Sequence, residues 1–262
     1  MLKKLIDGKR VALIGPSPHL INKKLGKYID SFDIVVRINE LGVANDCYED
    51  YGSKTDIAFL TLTKEAIPVY KKMIFGLDIE NLKMVVSPRD EFNTDTTKNF
   101  IDDKNSFEYF QQLSINNIEF FQVSKPPPLD VYKLFNCFPS TGSLTIFELL
   151  KYDFKELFIC GFSFFTTKYK YNSSRKIYEL SNPLNNHKHN IRISGHAVDY
   201  EIKFLKSLIS NTDKNISYDK IFKNLVISDF DYYKIKHFLN MLNMDSFKNY
   251  IKIFINKITN FE

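Results

Sequence analysis

Arg10-Val11-Ala12-Leu13-Ile14-Gly15-Pro16-Ser17-Pro18 is the stretch that decides the fold class. Val11 to Ile14 are apolar without alternation, and Gly15 and Pro16 stop the run. An unbroken apolar run of this length, bounded by Gly and Pro, predicts a strand buried on both faces and followed by a tight loop. Such a strand belongs in a parallel sheet with helices above and below it.

Similar runs recur on either side of helical spacing. Phe32 to Ile38 (FDIVVRI) predicts a second strand ending at Asn39, and Asp50 to Leu62 (DYGSKTDIAFLTL) a turn followed by a third. Further strands are predicted at Lys83–Ser87, Ile118–Val123, Leu157–Cys160 (stopped by Gly161) and Leu225–Ser228. Helical segments are predicted at His19–Tyr28, Ile67–Phe75 and Ser106–Leu113, after Pro139-Ser140-Thr141-Gly142, and from Gly195-His196 to about Ile209. Residues 89–130 are the least organised and include the stiff run Pro126-Pro127-Pro128. Residues 163–195 are polar, rich in Tyr, Asn and Ser, and without period, as expected for a lid or acceptor-binding insertion. The predicted fold is therefore α/β: one Rossmann-like domain over residues 1–230, with a parallel sheet and helices on both faces. Ligands of such sheets bind at the carboxyl ends of the strands. Gly15-Pro16-Ser17, Arg37-Ile38-Asn39 and the loop after Cys160 would lie there. Residues 231–262 form a basic amphipathic stretch, which suits either a helix lying on the inner membrane face or one packed on the domain or a second subunit.

Composition narrows the function classes. The chain has 262 residues, 44% hydrophobic and 15% aromatic, which excludes a disordered polymer and allows a sizeable core. The net charge of +5 suits an anionic substrate such as a sugar nucleotide, or an anionic membrane surface. Acids are interspersed with the bases, which argues against a nucleic-acid surface. Cys47, Cys137 and Cys160 show no CxxC spacing, so a disulfide framework is not expected and a reducing compartment is. The first residues hold too short an apolar run for a signal peptide, and no run reaches the roughly 18–20 residues of a membrane span. A cytoplasmic protein is expected, with peripheral contact to the inner face of the membrane if the C-terminal stretch binds lipid.

Several constellations can carry chemistry. Gly15, Pro16 and Ser17 suit a nucleotide phosphate or ribose contact, because Gly permits close approach and amides at a helix start attract anions; a plain strand-to-helix turn looks the same. Ser140, Thr141 and Gly142 stand before a helix and suit either a cap or a phosphate or nucleoside contact, or both. His196, with Glu201 five residues later, stands at a helix start, where the dipole favours the neutral imidazole that a general base requires. His187 and His189 precede it and can meet a phosphate; the three histidines are irregularly spaced for metal ligands. Asp229-Phe230-Asp231 follows an apolar run, as a DxD that holds a divalent ion does, and as ordinary turn acids do.

Taken in order across residues 10–205, these pieces resemble the animal-type sialyltransferases, glycosyltransferase family 29. VALIGPSPHL, FDIVVRIN and YGSKTDI are similar to that family's large sialylmotif, FPSTGSLTIFELL with LFICGFSFF to the small one, and SGHAVDYE to the very small one. The resemblance implies a Rossmann-like, GT-A-like glycosyltransferase domain that moves sialic acid from CMP-sialic acid to a glycan hydroxyl with inversion and without a metal or other cofactor. It implies CMP contacts from Asn39 and from Gly15, Pro16 and Ser17, contacts to the donor's nucleotide and carboxylate side from Ser140, Thr141 and Gly142, a cytidine pocket lined by Gly161 and Phe162, and a catalytic set of His196 as base with Glu201 and His189.

Three departures stand out. Pro16 occupies a position where the family usually has Asn. The cysteine pair joining the large and small motifs has no counterpart beside Val11 and Ala12. The family's third motif has no clear match, so that His189, His187 or Tyr178 with Glu179 would supply its phosphate contact. The glycine loop is also similar to that of bacterial family 42 and flagellin-modifying enzymes, so pseudaminic acid, legionaminic acid or Kdo are further cargoes. Lipopolysaccharide, lipooligosaccharide or capsule is the expected acceptor. The alternatives are a metal-dependent NDP-sugar transferase working through Asp229 and Asp231, and a non-catalytic sugar-nucleotide-binding module.

Overall fold

The computed structural model describes residues 1–40, 43, 45–60, 81–88, 113, 116–123, 139–164, 192–193 and 196–228, with 192–193 and 196–200 described by their backbone alone. In chain order the elements are α1 (Leu2–Ile6), β1 (Arg10–Ile14), a 3-10 turn (Pro18–Leu20), α2 (Gly26–Asp30), β2 (Ile34–Ile38), a second 3-10 turn (Asn45–Cys47), α3 (Tyr48–Tyr51), β3 (Ile57–Phe59), β4 (Met84–Ser87) and β5 (Glu119–Gln122). There follow α4 (Thr141–Leu149), β6 (Glu156–Cys160), β7 (Arg192–Ile193), β8 (His196–Ala197), α5 (Val198–Ser210), β9 (Ile216–Tyr218), α6 (Lys220–Phe222) and a π-helical turn (Lys223–Ile227).

Seven strands form one sheet in the order β5-β4-β3-β2-β1-β6-β9, and every pairing in it is parallel. Every residue of β2 is buried, as the unbroken FDIVVRI run requires of a strand covered on both sides. Alternation sorts the side chains onto two cores. Val11, Leu13, Val36, Ile38, Leu157 and Ile159 pack with Leu2 and Ile6 of α1, Ile146 and Leu149 of α4, and Leu205 and Ile209 of α5. Ala12, Ile14, Val35, Phe158 and Cys160 face the other way, onto Leu20, Ile29 and Phe32. The rings of Phe32 and Phe158 stack there with centroids 5.9 Å apart. Helices thus cover both faces of the sheet.

The chain lays β1 to β5 outward in one direction and then returns to place β6 on the other side of β1. The switch in direction falls between β1 and β6, the position at which open α/β sheets generally bind their ligands.

The sequence expectations need correction at three places. The helix after Gly195 does not begin at His196. His196 and Ala197 pair with Ile193 and Arg192 in a short antiparallel ribbon, and α5 begins at Val198. Leu225–Ser228 is not the last strand. Lys223–Ile227 form a π-helical turn that buries Leu225 and Val226, and the seventh strand is the half-buried Ile216–Tyr218. A three-residue apolar run satisfies a core contact in either conformation, so its pattern cannot separate them. The helix expected over His19–Tyr28 divides into the first 3-10 turn and α2, because Asn22 and Lys24 between them take positive φ of 64° and 53°.

The segments expected to be helical at Ile67–Phe75 and, Leu113 apart, at Ser106–Leu113 lie outside the described residues, as do Pro126–Pro128, most of 163–195 and residues 231–262. Among the described residues no helix is long and apolar enough to cross a membrane.

Candidate active site

At the switch point two glycines touch. A Cβ on Gly15 would lie 2.4 Å from the carbonyl oxygen of Gly161, and one on Gly161 would lie 2.4 Å from that of Gly15. Gly161 also takes φ +78°. The Gly15 N–H donates to Cys160 O at 2.8 Å and the Ser17 N–H to Gly161 O at 2.9 Å, so the loops after β1 and β6 are bonded backbone to backbone. Gly15 therefore serves first to let two loops meet, which is a different close approach from the ligand contact read from its sequence. Phe162, expected to line a cytidine pocket, is buried against Phe164 and Phe222. Its ring lies so close to Gly142 that a Cβ there would fall 2.8 Å from it. Gly161→Ala adds left-handed strain and a backbone overlap together. It is expected to cost at least ~2 kcal/mol of stability, read as a lowered denaturation midpoint; a midpoint equal to wild type would contradict this contact.

A second set of bonds fixes the glycine loop from the side. Ser17 is 1% exposed. Its carbonyl accepts from the Tyr51 hydroxyl at 2.7 Å, and its Oγ lies 2.8 Å from His19 Nδ1. Burial, followed by the charges of Glu40 and Asp50 among others, raises the pKa of the Tyr51 phenol, so it stays protonated as the donor. His19 Nε2 lies 2.9 Å from Asp219 Oδ2. That same oxygen accepts from the Gly161 N–H at 2.7 Å, and Asp219 Oδ1 caps α6 by accepting from the Phe222 N–H at 2.7 Å.

Arg37 links two pieces of the first motif. Its guanidinium is buried and donates to Tyr51 O (2.8 Å), Gly52 O (3.1 Å), Lys54 O (2.9 Å) and Thr55 Oγ1 (2.9 Å). The V-R-x-N strand end and the G-S-K-T turn thus belong to one unit, held by the Nε and Nη2 donors of one planar guanidinium. Asn39 closes β2 with φ 55°, a conformation Asn tolerates, and its N–H donates to Phe59 O at 2.8 Å.

The amino end of α4 lies at the same edge, since Gly142 neighbours Phe162 and Ile38. Ser140 caps the helix: its Oγ accepts from the Ser143 N–H at 3.2 Å. Glu201 of α5, 1% exposed, accepts from the Ser140 N–H (3.0 Å) and from the hydroxyls of Ser140 and Ser143 (2.5 Å each). A carboxylate at a helix amino end is favoured by the dipole and by charge-assisted bonds. Here it comes from the chain itself. The Ser140 hydroxyl and amide are thereby engaged internally, and Thr141 is buried. Glu201 ties α5 to α4, and the backbone of His196 stands two residues before the start of α5.

The structure thus gathers Gly15, Pro16, Ser17, Asn39, Ser140, Thr141, Gly142, Gly161, Phe162 and Glu201 on elements that meet at one edge of the sheet, with the His196 backbone leading into α5. His187, His189, Tyr178, Glu179, Asp229 and Asp231 lie outside the described residues. The sequence analysis missed His19 and Asp219. His19 carried a local signal, a histidine two residues beyond Ser17 in the glycine loop. Asp219 carried only that of an N-cap, and nothing in the pattern related the two.

A family model described as glycosyltransferase family 29 (sialyltransferase) matches residues 6–213. Among solved structures, the chain is similar to a mammalian sialyltransferase in complex with Gal-beta-1-3GalNAc-ortho-nitrophenol, at 20% identity over 82% of this chain and 71% of that one, with TM-score 0.42. It is also similar to alpha-2,3-sialyltransferase from Campylobacter jejuni in apo form, at 16% identity over 92% of this chain and 97% of that one, with TM-score 0.47. No curated protein matches it.

Proposed function

This chain belongs to glycosyltransferase family 29, the sialyltransferases, and from that premise we propose that it moves sialic acid or a related nonulosonic acid from a CMP-activated donor to a glycan hydroxyl, with inversion. The observation that carries the proposal is the Glu201 network. It binds the very small motif to the small-motif turn at Ser140 and Ser143, while Gly15 and Gly161 bind the large motif to the small one. Three motif segments far apart in the chain therefore converge at the switch point, where an α/β sheet binds its ligand.

In this mechanism the acceptor hydroxyl oxygen forms a bond to the anomeric carbon as the bond from that carbon to the CMP phosphate oxygen breaks. The hydroxyl proton passes to the imidazole of His196, and the electron pair of the broken bond leaves with CMP. CMP is a monophosphate, so hydroxyl and amide donors can stabilise it without a divalent ion. Lipopolysaccharide, lipooligosaccharide or capsule is the acceptor class, met in the cytoplasm or on the inner face of the membrane.

A thermal-shift comparison of CMP, CDP, UDP and GDP tests the donor class. A ligand that binds only the folded state raises its stability by about 2.7 kcal/mol at a hundredfold excess over the dissociation constant. CMP is expected to raise the midpoint and the diphosphates of uridine and guanosine to leave it unmoved. Transfer is expected to survive EDTA. Stabilisation by UDP or GDP with loss of transfer in EDTA would instead identify the metal-dependent alternative through Asp229 and Asp231.

A further inference from the structure

We propose that His19 is a positioning residue for donor binding. As a rigid spacer between Ser17 and Asp219, it holds the glycine loop in register with the loop after β6. This rests on the proposal that the CMP half of the donor binds at the switch point between β1 and β6.

The geometry assigns each atom a part. Both oxygens of Asp219 already accept backbone amides, Gly161 N–H on Oδ2 and Phe222 N–H on Oδ1. The Nε2 side of His19, 2.9 Å from Oδ2, therefore carries the proton. In the neutral ring Nδ1 is then the acceptor, and the Ser17 hydroxyl donates to it across 2.8 Å. The chain Ser17–His19–Asp219–Gly161 thus runs from the first loop to the second in three hydrogen bonds. The direct bond from Ser17 N–H to Gly161 O (2.9 Å) closes the ring. The side chains of His19 and Asp219 are 11% and 9% exposed, so water competes weakly for these bonds.

Two further features point to a part in binding rather than to filling space. Each nitrogen of the His19 ring has a partner at hydrogen-bond distance, which an apolar filler of the same size would lack. Asp219, the far anchor of the brace, stands between β9 and α6, beyond the residues 6–213 that the family model matches. Pro16 removes a side chain the family usually presents in the loop. The Gly15 and Ser17 amides are spent on Cys160 O and Gly161 O and the flanking prolines have none, so this loop meets a nucleotide with its carbonyl oxygens and its shape, which the brace holds in place.

The experiment uses the full chain, with titration calorimetry of CMP and steady-state transfer on wild type, His19→Leu, His19→Gln and Ser17→Ala. Removing both polar ends in His19→Leu is expected to raise the CMP dissociation constant and the donor KM about tenfold, the loss of roughly one well-placed hydrogen bond, with kcat per folded molecule nearly constant. Glutamine retains one donor and one acceptor and is expected to recover most of the affinity. Ser17→Ala, the milder change, should raise KM in the same direction and give less than additive losses with His19→Leu. A merely structural residue would lower the folded fraction and the apparent kcat without moving KM. An unchanged CMP affinity in both His19→Leu and Ser17→Ala, or equal losses in His19→Leu and His19→Gln, would overturn the inference while the donor proposal stood. Failure of the wild type itself to bind CMP would overturn the donor proposal and this inference with it.

Discussion

His196→Ala is expected to lower kcat for transfer by about 10²–10⁴-fold, the usual contribution of a positioned general base, while leaving CMP affinity within about twofold of wild type. The base takes the acceptor's proton only as the new glycosidic bond forms. It adds little to ground-state binding of the donor, so kcat and affinity separate. The described backbone suits this part. His196 lies in the two-residue strand β8, pinned by pairing with Ile193, two residues before the start of α5. Glu201, five residues on, is bonded to the turn that caps α4. Single-turnover transfer measured beside CMP calorimetry checks the prediction. Transfer at the wild-type rate would remove His196 from the mechanism, and a parallel loss of CMP binding would make it a donor contact instead.

The second large effect falls on Glu201. Glu201→Ala strands the Ser140 amide and the hydroxyls of Ser140 and Ser143 at a helix start where Ser143 is buried and Ser140 partly so. A loss of about 3–5 kcal/mol is expected, comparable to removing one member of a buried polar network. Glu201→Gln keeps the shape but turns an NH₂ toward groups that are themselves donors, and about 2–3 kcal/mol is expected. Because the carboxylate is occupied by three donors, these losses should appear in the denaturation midpoint. At temperatures where the variant stays folded, the change in donor KM should exceed the change in kcat. A midpoint unchanged in both variants would show that the network is not formed in solution. A fall in kcat alone, at constant stability, would place Glu201 in the chemistry rather than beneath it.

The two predictions show where sequence patterns inform and where they stop. Arg10–Ile14 was legible to the residue, because charged Arg10 opens and Gly15-Pro16 closes an apolar run buried on both faces. The ordered motifs brought Gly15, Ser140, Gly161 and His196 together as candidates, yet they did not say how each works. Gly15 and Gly161 read as ligand-facing glycines, and the structure presses them against one another. Arg37 read as part of a strand end, and it proves to be the hub of the Tyr51–Thr55 turn. The apolar run at Leu225 reads as a strand and folds as a π-helical turn, whereas the polar-flanked Ile216–Tyr218 forms the edge strand, which needs little apolar character.

What the sequence alone determined is what local pattern can encode: a parallel α/β sheet, the loops at its carboxyl edge, and the family that the ordered loops belong to. Burial on two faces and helix periodicity are written in neighbouring residues, because side chains alternate along a strand and repeat around a helix. Which loops touch was decided only by the tertiary structure. His19 meets Asp219 across 200 residues, and Ser140 meets Glu201 across 61. Those partners face each other because β6 lies beside β1 and β9 beyond it. That order comes from packing the whole sheet between two helical layers, and no single segment carries a trace of it.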